Sequence, residues 1–248
     1  MSDLQGRVAL VTGAWRGIGR ATATELRRRG AAVAVNVRDA DRAGRLAADL
    51  GGDTLAVPGD VARAEDVARI VDQVVARWGR LDILVNNAAV ATGTRLPQLE
   101  ETEWRLTFDV NVTGPFLFLK AVMPIMERQR HGRIINIGST ASKTVSTLGG
   151  AHYTASKHAL VGLTKAAARE LGPLGITVNA VCPGMTDTEL VEEVAGAELA
   201  REIVATRVPI RRLGTPEEVA DLVCYLASER SGYINGASID INGGIVLV

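Results

Sequence analysis

Short apolar runs alternate with longer stretches in which apolar residues recur every three or four positions, from one end of the chain to the other. Residues 7–11, 31–37, 54–57, 81–85, 133–137, 176–181 and 237–241 read as strands: compact, β-branched and bounded by polar or glycine-rich breaks. Between them the period changes to that of a helix. Residues 20–29 carry Ala21, Ala23 and Leu26 on one face and stop at Gly30; residues 41–50 stop at Gly51 and Gly52; residues 65–78 align Val67, Ile70, Val71, Val74 and Val75. Residues 103–130 predict a long helical region, bent near Gly114-Pro115 and again near Pro124. Residues 153–171 predict another helix, and 216–227 a last one, with Thr215 as N-cap and Pro216 at its first position. Seven strands alternating with helices imply a single doubly wound α/β domain over residues 1–248, its parallel sheet covered on both faces. Residues 185–213 break the alternation with a charged helical pattern. They read as a lid over a ligand site or as an ordinary surface insertion.

Composition narrows the class. With 47% hydrophobic residues the chain can bury a large core, and 28 basic against 28 acidic residues give a formal net charge of zero. Such a balance argues against nucleic acid or a membrane surface as partner. No apolar run reads as a membrane span and the N-terminus lacks a signal pattern, so the expected compartment is the cytoplasm. Cys182 and Cys224 sit in apolar runs and read as small hydrophobes, and with three histidines they show no metal-ligand spacing.

The first candidate chemistry follows the first strand. Thr12-Gly13-Ala14-Trp15-Arg16-Gly17-Ile18-Gly19 opens the first helix, where glycines admit a pyrophosphate and free N–H groups attract it. Position and composition predict a Rossmann-type dinucleotide site, although the spacing differs from Gly-x-Gly-x-x-Gly. At the end of the second strand, Val37 stands where an acidic residue selective for NAD is expected, and Arg38 follows. Arg16 and Arg38 together can clamp a 2′-phosphate, which points to NADP(H). The competing reading makes both solvated surface charges, with Asp39 and Asp41 near enough to pair with them.

The second candidate site is Tyr153 and Lys157, four residues apart on one helical face. A nearby ammonium lowers the phenol's pKa and fits Tyr153 for acid/base work. Ser139 follows the strand 133–137 at the sheet's carboxyl edge, where a hydroxyl can bind a substrate oxygen; Ser142 competes for that role, and a capping serine is the plainer reading. Asn111 interrupts a helical pattern, either to hold a kink or to anchor a water there.

The loop at 12–19, Asp60-Val61, Asn86-Asn87-Ala88, Asn111, Ser139, Tyr153 with Lys157, and Pro183-Gly184 occur in one order along the chain. In that order the sequence resembles the short-chain dehydrogenase/reductases over essentially its whole length. The resemblance implies Tyr153 as acid/base, Ser139 orienting the carbonyl, Lys157 lowering the Tyr153 pKa and binding the nicotinamide ribose, and Asn111 holding a relay water. It also implies cofactor contacts from Asp60 and Val61 to adenine, from Asn87 and Ala88 along the cofactor path, and from Ile18 beside the pyrophosphate. Pro183, Gly184, Thr186 and Thr188 would hold the carboxamide. Ala89 departs from the family's glycine, and the interval from Ser139 to Tyr153 is one residue longer than usual. The closest likeness is to bacterial 3-oxoacyl-carrier-protein reductases, whose acidic carrier docks on basic residues. Arg130 matches one of these, and Leu174 occupies the place of another. An alcohol or polyol dehydrogenase is the alternative activity, and a non-catalytic dinucleotide sensor the alternative class. The family also implies a homotetramer built on the helices at 103–130 and 153–171 and on the segment 237–248, whose apolar tail Ile245-Val246-Leu247-Val248 would be buried either there or in the monomer's own core.

Overall fold

A computed structural model describes residues 3–247. Strands β1 (Val8–Thr12), β2 (Ala32–Asn36), β3 (Thr54–Ala56), β4 (Ile83–Asn86), β5 (Gly132–Ile137), β6 (Ile176–Pro183) and β7 (Ser238–Ile241) form one sheet in the order β3-β2-β1-β4-β5-β6-β7. Every pairing is parallel. The seven strands are those expected from the apolar runs. The central ones are buried on both faces, which is why they read as continuous rather than alternating patterns.

Two apolar layers hold the helices. On one face, α1 (Gly17–Arg28), α2 (Ala40–Leu50) and α8 (Pro216–Ala227) close over Val11, Val33, Val35 and Ile135. On the other, α3 (Ala64–Trp78) and α5 (Gly114–Gln129) press Ile70, Val74, Phe118 and Met126 onto Leu10, Leu84 and Ile134. Thr215 caps α8 by accepting from Glu218 N while the Glu218 carboxylate returns to Thr215 N, and Pro216 takes the first helical position, as predicted.

The long helical region is interrupted beside Gly114-Pro115, as expected, but not at Pro124. α4 (Glu101–Phe108) passes through a π-turn at Asp109–Thr113 into α5. The backbone stays helical through Thr113 and Gly114 into α5, and Pro115, which lacks an N–H, follows directly on the π-turn. Pro124 is exposed inside α5, where water can serve the carbonyl it leaves unpaired. Within Glu101–Gln129 one 18-residue window reaches a mean hydropathy of 1.2, long and apolar enough by length and composition alone to cross a membrane, where the sequence reading expected no such run. Its apolar face is occupied by the core: Phe118, Val122 and Met126 are fully buried.

α6 (Ala151–Leu171) follows β5, and α7 (Glu189–Arg207) lies in the segment that breaks the alternation. Gly196, at φ 71°, divides α7 into two helical pieces. Met185, Ala200, Ile203 and Val208 form a separate small cluster with Leu148 and Ile245 packed against it. The apolar tail is therefore split: Ile245 packs under α7 and Leu247 is exposed, while Val248 lies outside the described residues.

Candidate active site

The loops singled out at 12–19, 60–61, 86–88, 139 and 183–188 follow the carboxyl ends of strands, and the strand order reverses between β1 and β4. The loop between β1 and α1 turns through Gly13 (φ 61°) and Gly17 (φ 51°). A methyl group on Gly13 would lie 2.7 Å from Ala88 Cα, so the loops after β1 and β4 touch backbone to backbone. They are also cross-bonded. Thr12 Oγ1 accepts from the N–H groups of Asn87 and Ala88, both at 3.0 Å, and Asn87 Nδ2 donates to the carbonyls of Thr12 and Gly13. Thr12 is buried, so its hydroxyl shapes the loop from behind. No side chain caps the first turn of α1, and Gly17, Ile18 and Gly19 present it to the groove. This donor set and the glycine backbone fit a dinucleotide pyrophosphate.

At the far end of that groove, Val37 is buried and supplies no carboxylate, and Arg38 is exposed without an ionic partner among the described residues. Asp39 does not pair with either arginine; its carboxylate caps α2 by accepting from Arg42 N at 2.8 Å. Arg16 instead meets Glu193 of α7 through both guanidinium nitrogens, one at 2.7 Å. Asp60 turns its carboxylate onto Ala62 N at 2.9 Å, and Val61 is buried against Gly114.

The Tyr153 ring stands on the first turn of α6, with Lys157 one turn further along the same face. Lys157 is buried; its Nζ donates to the Ile137 carbonyl at 2.8 Å and lies 5.6 Å from the centre of the Tyr153 ring. Burial holds the ammonium down to about 8. The expected lowering of the phenol is not found in the unliganded chain. Burial pushes Tyr153 up, and the Ser139 hydroxyl offsets only part of that rise. The reason is geometric: the ammonium is directed at a backbone carbonyl rather than at the phenolic oxygen.

Ser139 and Ser142 separate cleanly. Both belong to a 3-10 turn after β5, where Ser139 Oγ accepts from Ala141 N at 3.1 Å and Ser142 Oγ accepts from Ser139 N at 3.2 Å. Ser139 lines a cavity of about 90 Å³ together with Tyr153, whereas Ser142 is buried behind it. Ser139 is thus a capping serine and a pocket serine at once. Asn111 sits in the π-turn, buried, with Oδ1 accepting from Val90 N and Nδ2 donating to Val90 O and Ser156 Oγ. Both amide hydrogens are engaged by protein, so the side chain splices α6 to the loop after β4.

Pro183 ends β6. A methyl group on Gly184 would meet Asn242 Cα at 2.7 Å. Thr186 is buried beside Gly214, and Thr188 Oγ1 caps α7 by accepting from Val191 N at 3.3 Å.

The sequence offered 185–213 only as a possible lid and named none of its residues as pocket wall. Leu148, Met185, Leu190, Val191, Val194 and Ile245 form the pocket's apolar wall, supplied by three separate segments. Gly149 packs on the Tyr153 ring, 2.6 Å from Cδ1 if given a methyl group; the Gly149-Gly150 pair before α6 was its only trace. His152, fully buried, brings Nε2 within 2.8 Å of Thr92 Oγ1, and Thr92 and Thr94 both donate to Glu103, which pins the loop beside the pocket. Arg130 lies at the opposite end of the sheet. It precedes β5 while Ser139 follows it, so a six-residue strand, roughly 20 Å long, separates it from the pocket of its own chain.

Comparison with known proteins matches this arrangement. The family profile described as enoyl-(acyl carrier protein) reductase matches residues 13–246. The chain is 39% identical to a 3-oxoacyl-(acyl-carrier-protein) reductase of Synechocystis, over 100% of both chains. It is 37% identical to 3-oxoacyl-(acyl-carrier-protein) reductase FabG of Escherichia coli, over 99% of this chain and 100% of the other. A short-chain type dehydrogenase/reductase from Mycobacterium marinum superposes with a TM-score of 0.94 at 37% identity, covering 100% and 98% of the two chains. Levodione reductase superposes with a TM-score of 0.92 at 29% identity, covering 97% and 98%.

Proposed function

The chain belongs to the short-chain dehydrogenase/reductase family, as an oxidoreductase using a nicotinamide cofactor on carbonyl or alcohol carbons, and from that premise we propose that it reduces 3-oxoacyl thioesters with NADPH. The observation that carries this reading is the shared cavity of Ser139 and Tyr153 beside the dinucleotide groove, with Lys157 buried beneath the phenol. When bound, the cofactor supplies the hydride. Ser139 Oγ and the Tyr153 hydroxyl hold the carbonyl oxygen, and Tyr153 gives it a proton as the carbon is reduced. A phenol pushed up by burial is protonated at neutral pH, as a proton donor must be. Steadying the phenolate left behind requires the Lys157 ammonium to turn from the Ile137 carbonyl towards it, and with its pKa about 8 it exchanges protons readily. An intact acid, base and carbonyl ligand have no use in a pure dinucleotide sensor.

NADPH rather than NADH is supported by Val37 in place of a carboxylate and by the unpaired Arg38. We read residues 185–213 as a lid, since Met185, Leu190, Val191 and Val194 wall the cavity from that segment. The wall has no ionised side chain and suits an acyl chain or another neutral ketone. A homotetramer through α4, α5 and α6 is supported by the exposed Trp104, Leu106 and Phe116; light scattering at micromolar concentration tests it. Because Arg130 is remote from its own pocket, a docked carrier protein would use it only at a neighbouring subunit's pocket.

The deciding assay follows NADPH consumption with a 3-oxoacyl thioester, cyclic ketones and sugars in parallel. Turnover of the thioester, lost in Tyr153→Phe with NADPH still bound, is the expected result. Turnover of a sugar or cyclic alcohol alone would assign a dehydrogenase of that class instead.

A further inference from the structure

Trp15 occupies the third position of the loop between β1 and α1, half-buried against the core layer that α1, β2 and α2 share. Two guanidinium groups of α2 lie against its ring, Arg42 with Cζ 5.6 Å and Arg45 with Cζ 5.9 Å from the centroid. Both arginines are exposed, and neither side chain hydrogen-bonds or pairs with an acid among the described residues. The nearby Asp39 carboxylate is directed at the Arg42 backbone N–H as the helix cap. Arg38 precedes the same helix, also unpaired, whereas Arg16 is held by Glu193. The corner where β2 enters α2 therefore concentrates positive charge that the described residues leave unanswered, while the arginine of the phosphate loop already has a partner.

We propose that Arg42, steadied on the face of Trp15, is a specificity-determining residue for the ribose 2′-phosphate of NADPH. This rests on the NADPH reading given above. A ring beneath a guanidinium restrains its rotamers and leaves the N–H fork in its plane free, so a phosphate monoester meets a pre-oriented bidentate donor. A ribose hydroxyl, as in NADH, has no charge to answer it. Arg38 and Arg42, flanking the start of α2, then act as a pair of unpaired cations on one dianion.

The test uses the whole protein with 2′,5′-ADP and 5′-AMP as probes, followed by NADPH and NADH, all by titration calorimetry. Arg42→Gln is an exposed substitution and leaves the fold intact. It is expected to weaken 2′,5′-ADP and NADPH about tenfold or more while 5′-AMP and NADH stay within about twofold. The salt dependence of NADPH binding should flatten in the variant. Unchanged NADPH affinity in Arg42→Gln, with wild type still preferring NADPH over NADH, overturns this inference alone. An equal loss for both probes assigns Arg42 a structural role and overturns it too. Equal affinity of the wild type for NADPH and NADH removes the NADPH reading and this inference with it.

Discussion

Replacing Lys157 by methionine should make the protein more stable at neutral pH while abolishing its turnover. The Lys157 ammonium is 3% exposed and has one protein acceptor, the Ile137 carbonyl at 2.8 Å, for three N–H donors. Burial consequently holds it down to about 8, against an ordinary 10.5. At roughly 1.4 kcal/mol per pH unit that difference amounts to about 3 kcal/mol carried by the folded state whenever the amine is protonated. Because the folded value lies below the unfolded one, the cost is fully present below pH 8. It disappears as pH rises from 8 towards 10.5, where the unfolded chain keeps the proton and the folded chain does not. Methionine has a similar reach and fills irregular spaces, but it forgoes the bond to Ile137, about 1 kcal/mol. The net expectation is a gain of about 2 kcal/mol at pH 7. Urea unfolding of both proteins at pH 7 and pH 9.5 measures it, and the advantage of the variant should shrink by about 2 kcal/mol over that interval. A variant less stable than wild type at pH 7, or an advantage independent of pH, would refute the account of Lys157 as an under-compensated buried charge.

Other substitutions probe the frame around it. Gly13→Ala puts a methyl group 2.7 Å from Ala88 Cα at φ 61°, so dinucleotide affinity should fall at least about tenfold, read by calorimetry. Asn111→Leu removes the bonds that tie Val90 and Ser156 together across the π-turn and should cost about 2–4 kcal/mol in urea unfolding. Glu193→Gln breaks an exposed pair and should change stability by less than about 1 kcal/mol, yet tighten NADPH binding a few-fold by releasing Arg16. Unaltered NADPH affinity in that variant would leave Arg16 outside the phosphate site.

Local signals were sufficient for much of this molecule. The apolar runs marked all seven strands because a strand buried on both faces needs no polar face, and the period of α3 and the cap of α8 were legible for similarly local reasons. The order of motifs identified the family, and with it the residues proposed to do the chemistry. Local order could not tell Ser139 from Ser142, since the two differ only in which side of one 3-10 turn faces the cavity. Nor could it foresee that Glu193, 177 residues away, would take Arg16, or that Trp15 would carry two arginines of α2. The pocket wall, drawn from Leu148, α7 and Ile245, exists only once distant segments converge. Sequence alone determined the elements and the reactive groups, because those depend on neighbours along the chain. Tertiary structure decided their partners, their burial and hence their proton affinities, because those depend on neighbours in space.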